Sequence, residues 1–246
     1  MIGLRHTIVL LLALVLPSMA TAEPVVADLS DYVISIDSGF TGTDVLLFGA
    51  VEDEGDLVVV VRGPTETVAV RRKDRVAGIW VNRETVEFEN VPSYYTVATS
   101  RPLDDIAPIN FRILHQIGLD ALRLVAIGDR PAEEIAPFRE ALIRNRVREG
   151  LYGEGFDAMK ILSDRLFSTP LHFPANVSEG TYHAEVFLIR DGAIVSAEQT
   201  PLFINKSGFQ WEIHHYAHAQ PELYGMAAIL IALFAGWLAA AVFRKG

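Results

Sequence analysis

Three histidines near the C-terminal end have the spacing best suited to metal chemistry. The stretch reads Trp211-Glu212-Ile213-His214-His215-Tyr216-Ala217-His218. On a helix, His214 and His218 stand one turn apart on one face, with Glu212 and His215 near its edge. Imidazoles so placed can hold a divalent metal such as copper, zinc or nickel. The competing reading needs no metal. Trp211, Tyr216 and Tyr224 have amphipathic rings that settle at a membrane–water interface. Two or three histidines without a clear further ligand rarely close a site, so the expectation is no cofactor, with a divalent metal as the alternative. Elsewhere the sequence has no nucleophile elbow, Walker loop, dinucleotide fingerprint or zincin motif. The absence of cysteine excludes thiolate metal sites, CxxC redox chemistry and cysteine nucleophiles.

The histidines lie in a juxtamembrane segment, 209–222, and the element that positions it follows directly. Residues 223–243 are apolar and carry no charge. As a helix they reach about 30 Å, the thickness of a bilayer's hydrocarbon core. Arg244 and Lys245 then form a cytoplasmic anchor, and 244–246 a cytoplasmic tail. Ala228, Ala232, Gly236 and Ala240 recur every four residues along this span. Such a ridge lets a second helix approach closely, either another copy or a transporter-like membrane protein. An alanine-rich span with no packing role is the alternative.

The N-terminal end supports the same topology. Arg5 and His6 precede an apolar run over 8–16, which Pro17 breaks before Ala20-Thr21-Ala22. This is the pattern of a signal peptide over 1–22, an uncleaved anchor being the alternative. The expected location is the inner membrane, with the N-terminal domain periplasmic and the C-terminus cytoplasmic. The whole chain carries a formal charge of −10, with 31 acidic against 21 basic residues. All the acidic residues fall in the exported part, whereas Arg5, Arg244 and Lys245 lie outside it. Nucleic acid is not expected as a partner of so acidic a surface, whereas inner-membrane lipid is.

Within the exported part, short alternating or apolar runs fill 23–101, separated by Gly and Pro turns. Arg71-Arg72-Lys73-Asp74-Arg75 is the one basic cluster, read as an exposed hairpin or as a contact for anionic groups. The pattern turns helical over 102–150. Its clearest helix has Asp129 as candidate cap, Pro131 in the first turn and Gly150 as stop. Strands return over 151–208, where Asp191-Gly192 signals a type I′ hairpin. Ser178-Glu179-Gly180-Thr181-Tyr182-His183-Ala184 resembles the tyrosine corner of immunoglobulin-like domains, in which the hydroxyl ties down the preceding loop. The fold class expected is mainly β: an immunoglobulin-like β-sandwich with a helical insertion, plus one C-terminal transmembrane helix. Two small β domains joined by helices are the runner-up.

Several stretches together resemble a family of transmembrane proteins of alphaproteobacteria. They are Thr41-Gly42-Thr43-Asp44, Leu47-Phe48-Gly49-Ala50, Val70-Arg71-Arg72-Lys73, Gly78-Ile79-Trp80-Val81-Asn82, Leu171-His172-Phe173-Pro174-Ala175 and Tyr224-Gly225. The resemblance implies a signal peptide, a periplasmic domain and a single C-terminal span. It brings no activity and hence no catalytic residue. The expected function is a membrane-anchored, non-catalytic binding or adaptor module for a membrane partner such as a transporter. The alternative is a periplasmic enzyme or metal-handling protein that uses the histidine cluster.

Overall fold

The computed structural model describes residues 25–76, 78–162 and 165–206, together with 225, 232–234 and 236–237. The chain is mainly β, arranged in three sheets. Alternation of apolar and polar residues puts Val45 and Leu47 of β3 (Gly42–Val51) on the inner face of the first sheet. That sheet is antiparallel and runs β1 (Val25–Leu29), β3, β11 (Leu166–Pro174), β10 (Lys160–Leu162).

The second sheet has six strands. Its order is β2 (Val33–Ile36), β13 (Ala193–Lys206), β12 (Gly180–Arg190), β4 (Asp56–Arg62), β7 (Tyr95–Thr99), β9 (Tyr152–Ala158). Leu57 to Val61 of β4 are all buried. Successive side chains of a strand point to opposite faces, so both faces of this sheet are covered at β4. On the inner face, Phe173 of β11 meets Tyr182 of β12 edge-on, with ring centroids 5.7 Å apart. Tyr94 stacks on Phe173 at 5.0 Å. These rings join the two sheets in one core.

The outer face of the second sheet is covered around β4 and β12 by the segment between β7 and β9, while Val33 of β2 and Phe203 of β13 stay exposed at the far edge. Helices α1 (Leu103–Ile106) and α2 (Ile109–His115) open this segment. The His115 ring lies 4.6 Å from Phe111 and 6.4 Å from Phe187 on β12. A polar node fastens the same region. Arg62 pairs with Glu185 and donates to the carbonyl oxygens of His115 and Gln116 at 2.9 and 3.2 Å. The Tyr95 hydroxyl donates to the Gln116 carbonyl and accepts from Gly118 N–H, each at 2.8 Å. A buried polar group must be satisfied in this way or lose its hydration uncompensated.

The third sheet is a long hairpin, β5 (Thr65–Val76) and β6 (Ile79–Pro92), with a two-residue strand β8 (Val125–Ala126). Helix α3 (Ala132–Arg148) packs against β5 and buries Phe138 and Leu142. Glu133 and Glu134 in its first turn, and Arg146 and Arg148 in its last, each suit the helix dipole. Its N-cap is Pro131 rather than Asp129, and no side chain caps it.

Strands from before and after the helical segment pair with one another: β11 with β3, and β12 with β4. Two separate β domains therefore do not describe the pairing. The fold class needs correction at its C-terminal end. Among the described residues no helix is long and apolar enough to cross a membrane. Length and absence of charge over 223–243 allow a spanning helix but do not by themselves form one, and most of that stretch lies outside the described residues. An immunoglobulin-like sandwich with only a helical insertion also understates the architecture. Two of the pairings are parallel, β13 with β2 and β7 with β9, and the β5–β6–β8 sheet stands apart from both main layers.

Candidate interaction surface

The first sheet carries exposed apolar residues on its outer face, with Asp28, Ser168 and Lys160 beside Phe48 in one row. Leu46 and Phe48 alternate outward with the buried Val45 and Leu47 on β3. Strand pairing then sets Val26, Ala50, Leu166 and Leu162 in one row across all four strands. Val26 is 55%, Phe48 42%, Leu162 56% and Leu166 52% exposed. An antiparallel sheet with one solvated face ordinarily turns polar residues to water. A contiguous apolar patch on such a face marks an interaction site.

Polar pairs rim the patch. The Tyr32 hydroxyl donates to the Asp28 carboxylate. That bond, with the backbone N–H of Leu29, holds the Asp28 carboxyl below its ordinary range. Further along, His172 Nδ1 lies 2.7 Å from Asp44 Oδ1, both side chains being exposed cross-strand partners. An apolar centre inside a polar rim is the anatomy of a protein-binding surface.

A cleft of about 690 Å³ opens at another part of the molecule, between the start of β4, α1 and the β12–β13 turn. Its lining includes Asp56, Arg101, Asp104, Asp105 and Arg190. The cations there are already engaged. Arg101 Nε donates to Asp56 at 2.6 Å, and Arg190 Nε donates to the Glu54 carbonyl at 2.8 Å. Nearby, Arg112 is nearly buried and bridges Asp104 and Asp120, each at 3.0 Å. These pairs brace the loops, and among the described residues no nucleophile with an adjacent base lines the cleft.

His214, His215 and His218 lie outside the described residues, as do Arg244, Lys245, Ala228 and Ala240. Ala232 and Gly236 are helical, and a Cβ added to Gly236 would meet nothing within 4 Å. Among the described residues no group of three or more His, Cys, Asp or Glu side chains could hold a metal ion.

Residues 24–245 match the model of a family described as Putative transmembrane protein (Alph_Pro_TM). The chain belongs to this family. No curated protein matches it. The family's description names a membrane protein and assigns no activity. Two of the family-like stretches fall on the surfaces described above. Leu47-Phe48-Gly49-Ala50 supplies the centre of the open face, and Gly78-Ile79-Trp80-Val81-Asn82 forms the tip of the β5–β6 hairpin. The open face had a sequence signal: Val45-Leu46-Leu47-Phe48 does not alternate. An unbroken apolar run in an antiparallel strand means that both faces seek cover.

Proposed function

We propose that the protein is a non-catalytic binding module at the inner membrane, its β body in the periplasm, and that the open face of the first sheet receives a membrane partner such as a transporter. The single observation that carries the reading is the contrast between the two sheets. The chain's own helices cover the second sheet around β4 and β12, whereas Val26, Phe48, Leu162 and Leu166 on the outer face of the first stay exposed. Periplasmic placement is supported by the signal-peptide pattern over 1–22 and by the acidic, cysteine-free body.

A photo-crosslinking side chain placed at Phe48 or Leu166 of the full chain in native membranes tests the surface. The expected result is a discrete adduct with one membrane protein, absent when the same group replaces the exposed Glu133 on α3. Equal labelling from all three positions, or none from Phe48 and Leu166, would remove this face as the docking site. Location is tested separately. Protease added to spheroplasts should digest the β body, and protection in intact spheroplasts would place it in the cytosol.

A further inference from the structure

The β5–β6 hairpin projects from the molecule, and contacts from the body reach only its inner part, where the Arg72 guanidinium lies 5.4 Å from the Phe138 ring and Arg130 donates to the Thr85 carbonyl at 3.3 Å. Val70 and Val86 are its last buried pair, and Phe88 lies deeper. Beyond them every described residue from Arg71 to Thr85 is exposed, except half-buried Glu84. At the rise of a β-strand the free ribbon extends about 20 Å. A two-stranded ribbon gains little stability alone in water. Its tip is nevertheless apolar: Ile79 is 68%, Trp80 67% and Val81 40% exposed.

The charge of the ribbon opposes that of the body. The chain as a whole is acidic, at −10. The ribbon carries Arg71, Arg72, Lys73, Arg75 and Arg83 against Asp74 and Glu84. Two of its cations are neutralised: Arg72 pairs with Glu84 at 2.6 Å and Arg83 with Asp74 at 2.9 Å. Among the described residues Arg71, Lys73 and Arg75 make no ion pair, and Arg75 Nε donates only to the Gly78 carbonyl, at 3.3 Å. Arg75 also stands directly opposite Trp80 in the ladder.

We infer that this hairpin tip docks on an anionic phospholipid surface. Trp80 would sit at headgroup depth with Ile79 and Val81 against the acyl boundary, where an indole ring is most favourably placed. Arg71, Lys73 and Arg75 behind them would meet the lipid phosphates. Charge complementarity selects this occupant, because unpaired cations and an exposed apolar tip coincide here on an otherwise acidic molecule. The hairpin then gives the β body a point of attachment to the membrane surface.

The test uses the full chain reconstituted into vesicles with brominated acyl chains, either phosphatidylcholine alone or phosphatidylcholine with phosphatidylglycerol. The chain has 3 tryptophans, so Trp211→Phe with Trp237→Phe leaves Trp80 as the only emitter. Trp80 emission should be quenched in the phosphatidylglycerol vesicles and shielded there from aqueous acrylamide. Arg71→Glu with Lys73→Glu and Arg75→Glu should reverse both effects, since each cation near an anionic surface favours binding by about fivefold. Raised salt should act in the same direction. These positions are exposed, so an unchanged circular dichroism melt verifies folding of the variant. Trp80 that stays open to acrylamide and unquenched in anionic vesicles overturns the inference and points to a protein occupant. Quenching that ignores the triple charge reversal overturns it as well.

Discussion

The ring of Phe167 lies against Gly49. The two are cross-strand partners in β11 and β3, on the inner face of the first sheet. A Cβ added to Gly49 would fall 2.5 Å from the Phe167 ring and 2.3 Å from the carbonyl oxygen of Val26 on β1. Glycine is therefore required here by close approach from two strands, one through a ring and one through backbone.

Gly49→Ala is expected to destabilise the fold by about 1–3 kcal/mol, the usual cost of overpacking a core. Part of the clash is with backbone, so rotation of Phe167 alone cannot relieve it. Chemical denaturation of the mutant measures this. Adding Phe167→Leu should recover only part of the loss, and full recovery would show that Val26 is not in the way.

The tyrosine corner is formed as the sequence suggests. The Tyr182 hydroxyl donates to the Ser178 carbonyl at 2.7 Å, across the turn ahead of β12. Tyr182→Phe keeps the ring packing against Phe173 and removes that bond. The expected loss is about 1 kcal/mol, the net worth of one hydrogen bond. Its measure is a lower denaturant midpoint with an unchanged slope.

Alkaline pH should unfold the protein in a defined window. Burial pushes the hydroxyls of Tyr95 and Tyr182 up to about 12, from an ordinary 10.0, and raises that of Tyr152 as well. The unfolded chain gives up these protons first. Their contribution to stability is complete below the ordinary value and is lost as pH rises through the folded values. Denaturation midpoints should hold up to about pH 9 and fall steeply by about pH 11. A flat profile across that range would show that these rings ionise freely in the folded state.

Arg112 and its two carboxylates should show strong non-additivity. Asp104 and Asp120 are largely exposed, whereas Arg112 is nearly buried. Removing either acid as Asp→Ala leaves one partner, and each change should cost under about 1 kcal/mol. The double mutant leaves the guanidinium buried without a counter-charge and should cost clearly more than the sum. A double-mutant cycle by thermal or urea melts reads the difference, and simple additivity would mean that solvent supplies the missing partner.

Much of this molecule follows from local chemistry. Asp191-Gly192 is a hairpin turn because both residues hold left-handed backbone, at φ 51° and 75°. The apolar spacing and terminal charges of 132–148 make α3, and the step from Ser178 to Tyr182 makes the corner. Each of these depends on residues close in the chain, which the sequence displays directly. Pairing is different. The arm β6 runs unbroken from Ile79 to Pro92, its ladder with β5 continuing past the bulge at Arg72/Lys73. Strand β13 is likewise unbroken from Ala193 to Lys206. Strands β1 and β9 are each defined by a partner, β3 for one and the parallel edge of β7 for the other.

The candidate surface divides in the same way. That Val45 to Phe48 is apolar on both faces is written in the residues. Which face is sealed and which left open follows from β11 and β1 closing on β3 while the helices cover only the second sheet. Periodicity is a property of neighbours in sequence, whereas cover is decided by contacts between segments more than a hundred residues apart, such as β3 with β11. Composition alone made the chain acidic and cysteine-free and placed a cationic, apolar stretch at 71–83. Only the tertiary structure set that stretch at the end of a projecting ribbon, because burial ends at Val70 and Val86.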